Sequence, residues 1–400
     1  MVSGMELIFI GSIYPKEILD NIIQEKSHAD FAAHTFQMSL LDGLECFYSD
    51  LTVITSPVTS SYPKSNSIIC RKNHGVLNNT SDIPVYFTGF INIPILKLIT
   101  EFCNVRRALK GLAAKNKTLY IYALHSPFLL AAYTLRKRFD KVCVVVPDLP
   151  DYMSHNKGVL RRIMKAINKV IINQCIRKFS YFVLFTPLMR EKLPLDNKKW
   201  ITVEGMYAST EVPCRCKEDD NTILYTGIIS SKYGVFDLIE AFRRIKRTGY
   251  KLWLCGSCPN EMEKLTACLD SDSRIKYWGM LSKDVVRDLQ QRATLLVNPR
   301  HSNEEYTKYS FPSKTMEYLA SGTPTLMCKL PAIPPEYLEH LFLFEDESID
   351  AYSKRIVEIC EMDNSFLAEH GQRARTFILT EKNIHAQVKR IVDMVEYTQK

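Results

Sequence analysis

The feature that most constrains this chain is a regular alternation running from residue 221 to residue 345. "NTILYTG" is followed by "VFDLIEAFRRIKR", "YKLWLCGS" by "NEMEKLTACLD", and "RIKYWGM" by "SKDVVRDLQQR". "ATLLVNPR" then precedes "PSKTMEYLAS", and "TPTLMCKL" precedes "PPEYLEHL" and "LFLFED". The first member of each pair is short and apolar throughout. The second places its apolar residues at helical spacing, as Val235, Leu238, Ile239, Phe242 and Ile245 do. Strands that are apolar on both faces and alternate with helices require a parallel sheet covered on both sides.

The first half repeats the theme with strand candidates "MELIFIGS", "DLTVITSP", "IPVYFTG", "TLYIYAL", "KVCVVVPD", "YFVLFT" and "KWITVEG". A chain of 400 residues is too long for one ordinary core and suits two domains. The expected division is a first domain over residues 1–207, a polar linker over 208–221 ("ASTEVPCRCKEDDN"), and a second domain over 222–382. The last helix, 383–400, has no strand after it and is expected to pack back on the first domain. The predicted class is therefore α/β, with two Rossmann-like doubly wound domains facing across a cleft that holds the ligand.

Composition removes several classes. No apolar run approaches the roughly 20 residues of a membrane span, and "PFLLAAYTL" is short and soon followed by "RKR". The N-terminal residues lack the pattern of a signal peptide, so the expected compartment is the cytoplasm. Twelve cysteines lie mostly in apolar runs, as reduced buried cysteine does; the lone Cys255–Cys258 pair has no second pair at zinc spacing, and no metal site is expected. Residues 1–200 carry 26 Lys and Arg against 15 Asp and Glu, whereas residues 201–400 carry 26 against 29. Part of that basic excess lies in "KGVLRRIMKAINKVIINQCIRKF". There Val159, Ile163, Ile167, Val170 and Ile171 form an apolar stripe, with Arg161, Arg162, Lys165 and Lys169 largely off it. A solvated face and an anionic membrane surface both fit; nucleic acid is not expected, since no nucleic-acid-binding motif accompanies the charge.

No G-x-G-x-x-G, P-loop, H-E-x-x-H or G-x-S-x-G occurs, which argues against dinucleotide oxidoreduction, P-loop phosphoryl transfer and serine hydrolysis. What remains lies in the second half. In "YTGIISSKYGVFDLI" a strand ends at Gly227, and a loop offers Ser230, Ser231 and Lys232 before a helix, a set of donors that suits a diphosphate. In "VNPRHSNEEYTKYSFPSK" a strand ends at Arg300, and a helix opens with Pro312, Ser313 and Lys314. Glu317, one turn further in, can accept the two hydroxyls of a ribose. A carboxylate favouring the helix N-terminus and an exposed loop lysine are the plain structural alternatives.

"ILYTGIISSKYGVFDLIEAF", "FPSKTMEYLASGTPTL" and "LPAIPPEYL" resemble glycosyltransferase family 4, whose members have the GT-B fold and are retaining nucleotide-sugar-dependent enzymes of polysaccharide assembly. The resemblance covers residues 221–345; "FVLFTPLMREKL" and "ITVEGM" also look like the end of that family's first domain. It implies that Lys232 and Arg300 meet the donor diphosphate, that Glu317 holds the ribose as the second glutamate of an E-x7-E motif, and that Gly279, Met280 and Leu281 line the base. Tyr309, Phe311, Ser313, Lys314 and Thr315 would complete the donor site, with Gly11 approaching from the first domain. There are departures: Tyr309 stands where the first glutamate is expected, leaving Glu304 or Glu305 to replace it. Ile228 stands where an arginine is frequent, and Pro147 where a histidine is. His34, His125, Asp148 and Asp151 are the acceptor-side candidates.

The implied activity is transfer of a sugar from a nucleoside-diphosphate sugar, UDP before GDP, to a hydroxyl of a glycan or lipid-linked glycan, without cofactor or metal. Two alternatives stay open: a nucleotide-sugar epimerase on the same fold, and a non-catalytic relative that binds nucleotide sugar or glycan. Location would be cytoplasmic, with a peripheral position on the inner membrane face open to the basic first domain.

Overall fold

The computed structural model describes residues 5–14, 31–65, 67–78, 81–149, 159–208 and 215–397. The chain divides into one unit of Met1–Met206 with Ile384–Lys400, and a second of Tyr207–Asn383.

In the first unit the strands are β1 (Glu6–Gly11), β2 (Asp50–Thr55), β3 (Ile69–Cys70), β4 (Asn73–Asn78), β5 (Ser81–Phe87), β6 (Phe90–Ile91), β7 (Lys117–Tyr122), β8 (Lys141–Val146), β9 (Tyr181–Leu184) and β10 (Lys199–Thr202). Eight of them form one sheet in the order β10-β9-β8-β7-β1-β2-β5-β4, parallel except where β4 runs antiparallel to β5. The order reverses between β1 and β7, as in a doubly wound sheet. Phe9, Ile10, Val53, Val144 and Val183 are fully buried, the burial expected of strands covered on both sides.

Three elements were not legible as strands: β4, and the small antiparallel pair β3–β6. "NHGVLN" is polar and exposed along much of its length, so it lacks an apolar period and is held as an edge partner of β5. Helix Val159–Ile176 turns the stripe read from the sequence largely to the surface. Ile163, Ile167 and Val170 are exposed, and the buried side chains are Ile172, Cys175 and Ile176 in its last turns.

The second unit carries β11 (Asn221–Thr226), β12 (Tyr250–Cys255), β13 (Ile275–Tyr277), β14 (Leu295–Asn298), β15 (Thr325–Met327) and β16 (Phe342–Leu343). All are parallel, in the order β13-β12-β11-β14-β15-β16, so the reversal falls between β11 and β14. Helix Val235–Arg244 shows why the alternation folds this way. Val235, Leu238, Ile239, Phe242 and, just past its end, Ile245 are all buried against the sheet. Their burial contributes on the order of 10 kcal/mol before ordering costs are counted.

The segment read as a linker belongs to this second unit from residue 215 onward, since Glu218 N–H donates to the Arg292 carbonyl and Lys217 Nζ to that of Ala293. Residues 209–214 lie outside the described residues. The C-terminal helix Ile384–Val392 returns to the first unit and packs on helix Phe31–Glu45, where Val388 fills the space beside Gly43. Glu396, just beyond, accepts from Tyr48 Oη at 2.7 Å and Thr118 Oγ1 at 2.8 Å and pairs with Lys141, which anchors the chain end.

Candidate functional site

In an open parallel sheet, ligands bind outside the carboxyl ends of the strands at the point where strand order reverses. In the second unit that point lies between the ends of β11 and β14. The loop after β11 and the turn after β14 meet there because Gly234, at φ 72°, has no side chain: a Cβ on it would stand 2.0 Å from the Pro299 carbonyl oxygen. No residue other than glycine allows that approach in that conformation.

Three cations converge on this point. Lys232 Nζ lies 4.9 Å from the centre of the Tyr306 ring, and the Arg300 guanidinium lies 4.4 Å from the same ring. Arg300 Nε is buried without a hydrogen-bond partner, and so is the Tyr306 hydroxyl. The third cation is Lys314. Its amine sits directly against Gly227, where an added Cβ would come within 1.5 Å of Nζ, and 5.3 Å from the Tyr225 ring. Burial holds the Lys314 amine down to about 8; Glu317 draws it upward and Arg300 pushes it further down. None of the three cations is ion-paired among the described residues. Arg300 and Lys314 are half-buried, where an unpaired cation is costly, and with the exposed Lys232 they suit an anion.

The loop itself uses its hydroxyls differently from the sequence expectation. Ser231 donates its N–H to Glu261 Oε2 at 2.8 Å and its hydroxyl to Glu261 Oε1, while Ser230 Oγ accepts from Lys232 N–H at 3.2 Å. Those bonds to Ser231 hold the Glu261 carboxyl below its ordinary range. The N–H groups of Gly227, Ile229, Tyr233 and Gly234 are likewise spent on carbonyls. What this loop presents to an anion is the Lys232 side chain, since the hydroxyl pair is committed to shaping the turn.

Across the site, helix Lys314–Ser321 starts with Ser313 as its N-cap, and the Ser313 side chain makes no capping bond. That hydroxyl is exposed, and the helix dipole favours an anion beside it, although the Thr315 and Met316 N–H groups donate to the Pro312 and Ser313 carbonyls at 2.8 and 3.2 Å. Glu317 projects from the first turn, exposed and unpaired among the described residues. Thr315 and Phe311 are placed elsewhere. Both are buried, with Thr315 Oγ1 directed at Met327 and Phe311 packed on Tyr337, so their side chains serve the core. Tyr309 is buried too, while Glu304 and Glu305 are exposed on the preceding turn.

Gly227 also adjoins the end of β12, for its carbonyl oxygen lies where a Cβ on Gly256 would be. Gly256 N–H in turn donates to the Gly279 carbonyl at 2.8 Å. The three strand ends thus form a shelf of bare backbone. Met280 lies exposed beyond it, and Leu281 packs beside Trp278. Gly256, Tyr225 and Tyr306 were not singled out from the sequence. The signal for Gly256 was its place at the end of "YKLWLCG"; Tyr306 sits in a polar stretch with no such signal.

In the first unit the reversal lies between β1 and β7. His125 stands just after β7 and meets Glu101 with Nε2 to Oε2 at 3.0 Å. Glu101 is buried and also accepts from Ser56 Oγ at 3.0 Å. Backbone strain accompanies the turn, since Ala123 is held at φ 68°. Gly11 is closed off by Gln37, whose Oε1 lies 2.3 Å from where a Cβ would be and accepts from Ser12 N–H at 2.8 Å. His34 accepts from Tyr14 N–H at 3.4 Å, and burial lowers its pKa. Asp148 is exposed after β8, and Asp151 lies outside the described residues.

Two Rossmann-like units of this kind define the GT-B architecture, and solved structures share it over nearly the whole chain. A glycosyltransferase from Rickettsia africae superposes with a TM-score of 0.65 at 12% identity, covering 98% of this chain and 100% of that one. HepE from Anabaena, solved with UDP, gives 0.63 at 14% identity over 97% and 99%. Sucrose-phosphate synthase from Thermosynechococcus elongatus gives 0.59 at 14% identity over 96% and 97%. Residues 220–362, which hold the three cations and Glu317, match the family Glycosyl transferases group 1. No curated protein sequence matches the chain. The matched segment and the fold together support a glycosyltransferase of GT-B architecture.

Proposed function

We propose that the protein transfers a sugar from a nucleoside-diphosphate sugar, with UDP as the favoured nucleotide, to a hydroxyl of a glycan or lipid-linked glycan. The observation that carries this reading is the set of Lys232, Arg300 and Lys314, three cations with no ion pair among the described residues, at the strand reversal of the second unit. A diphosphate gains charge as the glycosidic bond breaks, and fixed cations lower the barrier by stabilising that charge. Glu317 takes the ribose hydroxyls, and the backbone shelf at Gly227, Gly256 and Gly279 takes the base. The choice of UDP draws support from HepE, which was solved with UDP and with UDP-glucose.

In this reading the acceptor is bound by the first unit, around His125, and attacks on the face the nucleotide leaves, so that configuration is retained. The cations supply the charge that a metal supplies elsewhere, so turnover should survive EDTA. Membership of glycosyltransferase family 4, a role in polysaccharide assembly and a cytoplasmic location beside the membrane complete the proposal.

The test is a panel of UDP-, GDP-, ADP- and dTDP-sugars, hexoses and N-acetylhexosamines alike, with nucleotide release and sugar transfer both measured. One UDP-sugar should turn over and the Lys232→Ala variant should not. Tyr309, buried where a glutamate is expected, favours one second reading: a relative that binds nucleotide sugar without transferring it. Tight binding of a UDP-sugar with no release on any acceptor would select it.

A further inference from the structure

The strongest feature outside the donor site is a surface of the first unit near the carboxyl ends of β2 and β5. Ile69 of β3 pairs directly with Ile91 of β6, so their side chains share one face, and Ile69 is 64% exposed. Ile93, just beyond β6, is exposed as well. Ile91 N–H donates to Thr100 Oγ1 at 3.1 Å, which ties the pair to helix Leu96–Leu112, whose N-cap Ile95 and helical Ile99 are 57% and 52% exposed. Ile95 is also held at φ 32°, a conformation that β-branched residues avoid.

The platform is fixed from beneath. Asn92 is buried; its Nδ2 donates to the Ser60 and Ser67 carbonyls at 2.9 Å each, and its N–H donates to that of Ile68 at 2.7 Å. A rigid exposed apolar face of this kind marks an interaction site.

Charge indicates the partner. Residues 51–100 contain Lys64, Arg71, Lys72 and Lys97 against a single acid, Asp82. Lys97 turns inward to the Thr59 carbonyl, whereas Lys64, Arg71 and Lys72 are exposed. Apolar side chains for the acyl boundary beside basic ones for headgroups are the two signals that interfacial binding requires. Helix Val159–Ile176, with its exposed apolar stripe, packs on the same helix, Ser126–Leu135, as Leu96–Leu112 does.

We propose that this face docks on an anionic phospholipid bilayer, inserting the isoleucines and resting Arg71 and Lys72 on the headgroups. The proposal deepens the acceptor side of the reading above, and rests on that reading only for the choice of a lipid-linked acceptor. Glu101, which meets His125 at 3.0 Å, lies on the same helix as Ile99, so the docking face and the proposed acceptor side share one element.

The test is flotation of the full chain with vesicles of phosphatidylcholine alone or mixed with phosphatidylglycerol, UDP affinity being measured on the same preparations. Binding should require the anionic lipid, weaken in high salt, and fall about tenfold or more in Ile69→Glu/Ile95→Glu and in Arg71→Glu/Lys72→Glu. Both variants should keep the UDP affinity of the parent chain. No flotation with UDP binding intact would overturn the docking surface alone, as would equal binding to neutral vesicles. A concentration-dependent dimer that Ile69→Glu/Ile95→Glu abolishes, without flotation, would also overturn it, by making the face a contact between copies. Loss of UDP binding with flotation intact would instead sink the donor-site reading.

Discussion

Raising the pH from 7 to 9 should weaken UDP binding about tenfold, and the cause should be Lys314. Its amine is pressed against Gly227 and the Tyr225 ring and titrates near 8 instead of its ordinary 10.5. The free protein then carries the charge in roughly nine molecules of ten at pH 7 and one of ten at pH 9. A bound diphosphate restores the charged form, so each binding event above pH 8 must take up a proton. The ligand's terminal phosphate has largely ionised by pH 7, so it does not reproduce this slope.

Titration calorimetry in buffers of different ionisation enthalpy reads both the affinity and the proton uptake. Uptake should approach one proton at pH 9 and be near zero at pH 7. Lys314→Met should bind weakly with no slope. A dissociation constant changing less than about twofold over this range would refute the reasoning.

The same shift has a stability consequence of definite sign. Because the folded pKa lies below the unfolded one, the unfolded chain holds the extra proton between pH 8 and 10.5, so stability rises with pH across that window. At pH 7 the buried charge costs on the order of 3 kcal/mol, so Lys314→Met should be the more stable protein while binding UDP less well.

Gly227→Ala puts a methyl group on the Lys314 amine at a backbone φ of 143°, so UDP affinity should drop at least tenfold and stability by about 1–3 kcal/mol, measured by calorimetry and urea unfolding. Glu317→Gln should leave the melting temperature nearly unchanged and erase the preference for UDP over its 2′-deoxy analogue; a retained preference would exclude a ribose role. His125→Ala leaves the buried Glu101 carboxylate with Ser56 as a remaining partner, which should cost about 1–3 kcal/mol in urea unfolding. No cost there would show that the pair is not coupled.

Much of this fold was legible because its main signal is local. The strand of "NTILYTG" and the stripe Val235, Leu238, Ile239, Phe242 and Ile245 each specify an element without reference to the rest. Strand β4 was not legible, since a polar edge strand is held by its neighbour and not by its own pattern. In the candidate site, Lys232, Arg300 and Glu317 stood out in the sequence because they sit where strands end and a helix begins. The sequence misdirected where a side chain's use depends on distant partners. Ser231 is taken by Glu261, thirty residues on, and Gly11 is closed by Gln37. Phe311 and Thr315 face the core, although they adjoin Ser313 and Lys314. Periodicity likewise found the stripe Ile163, Ile167 and Val170 without telling whether it faced the core or the surface.

The most direct test of the central claim is the crystal structure of the chain soaked with UDP. The diphosphate should contact Lys232, Arg300 and Lys314, and the ribose hydroxyls should rest on Glu317. Nucleotide bound away from all three cations, or none bound at a concentration that saturates the calorimetric signal, would contradict it.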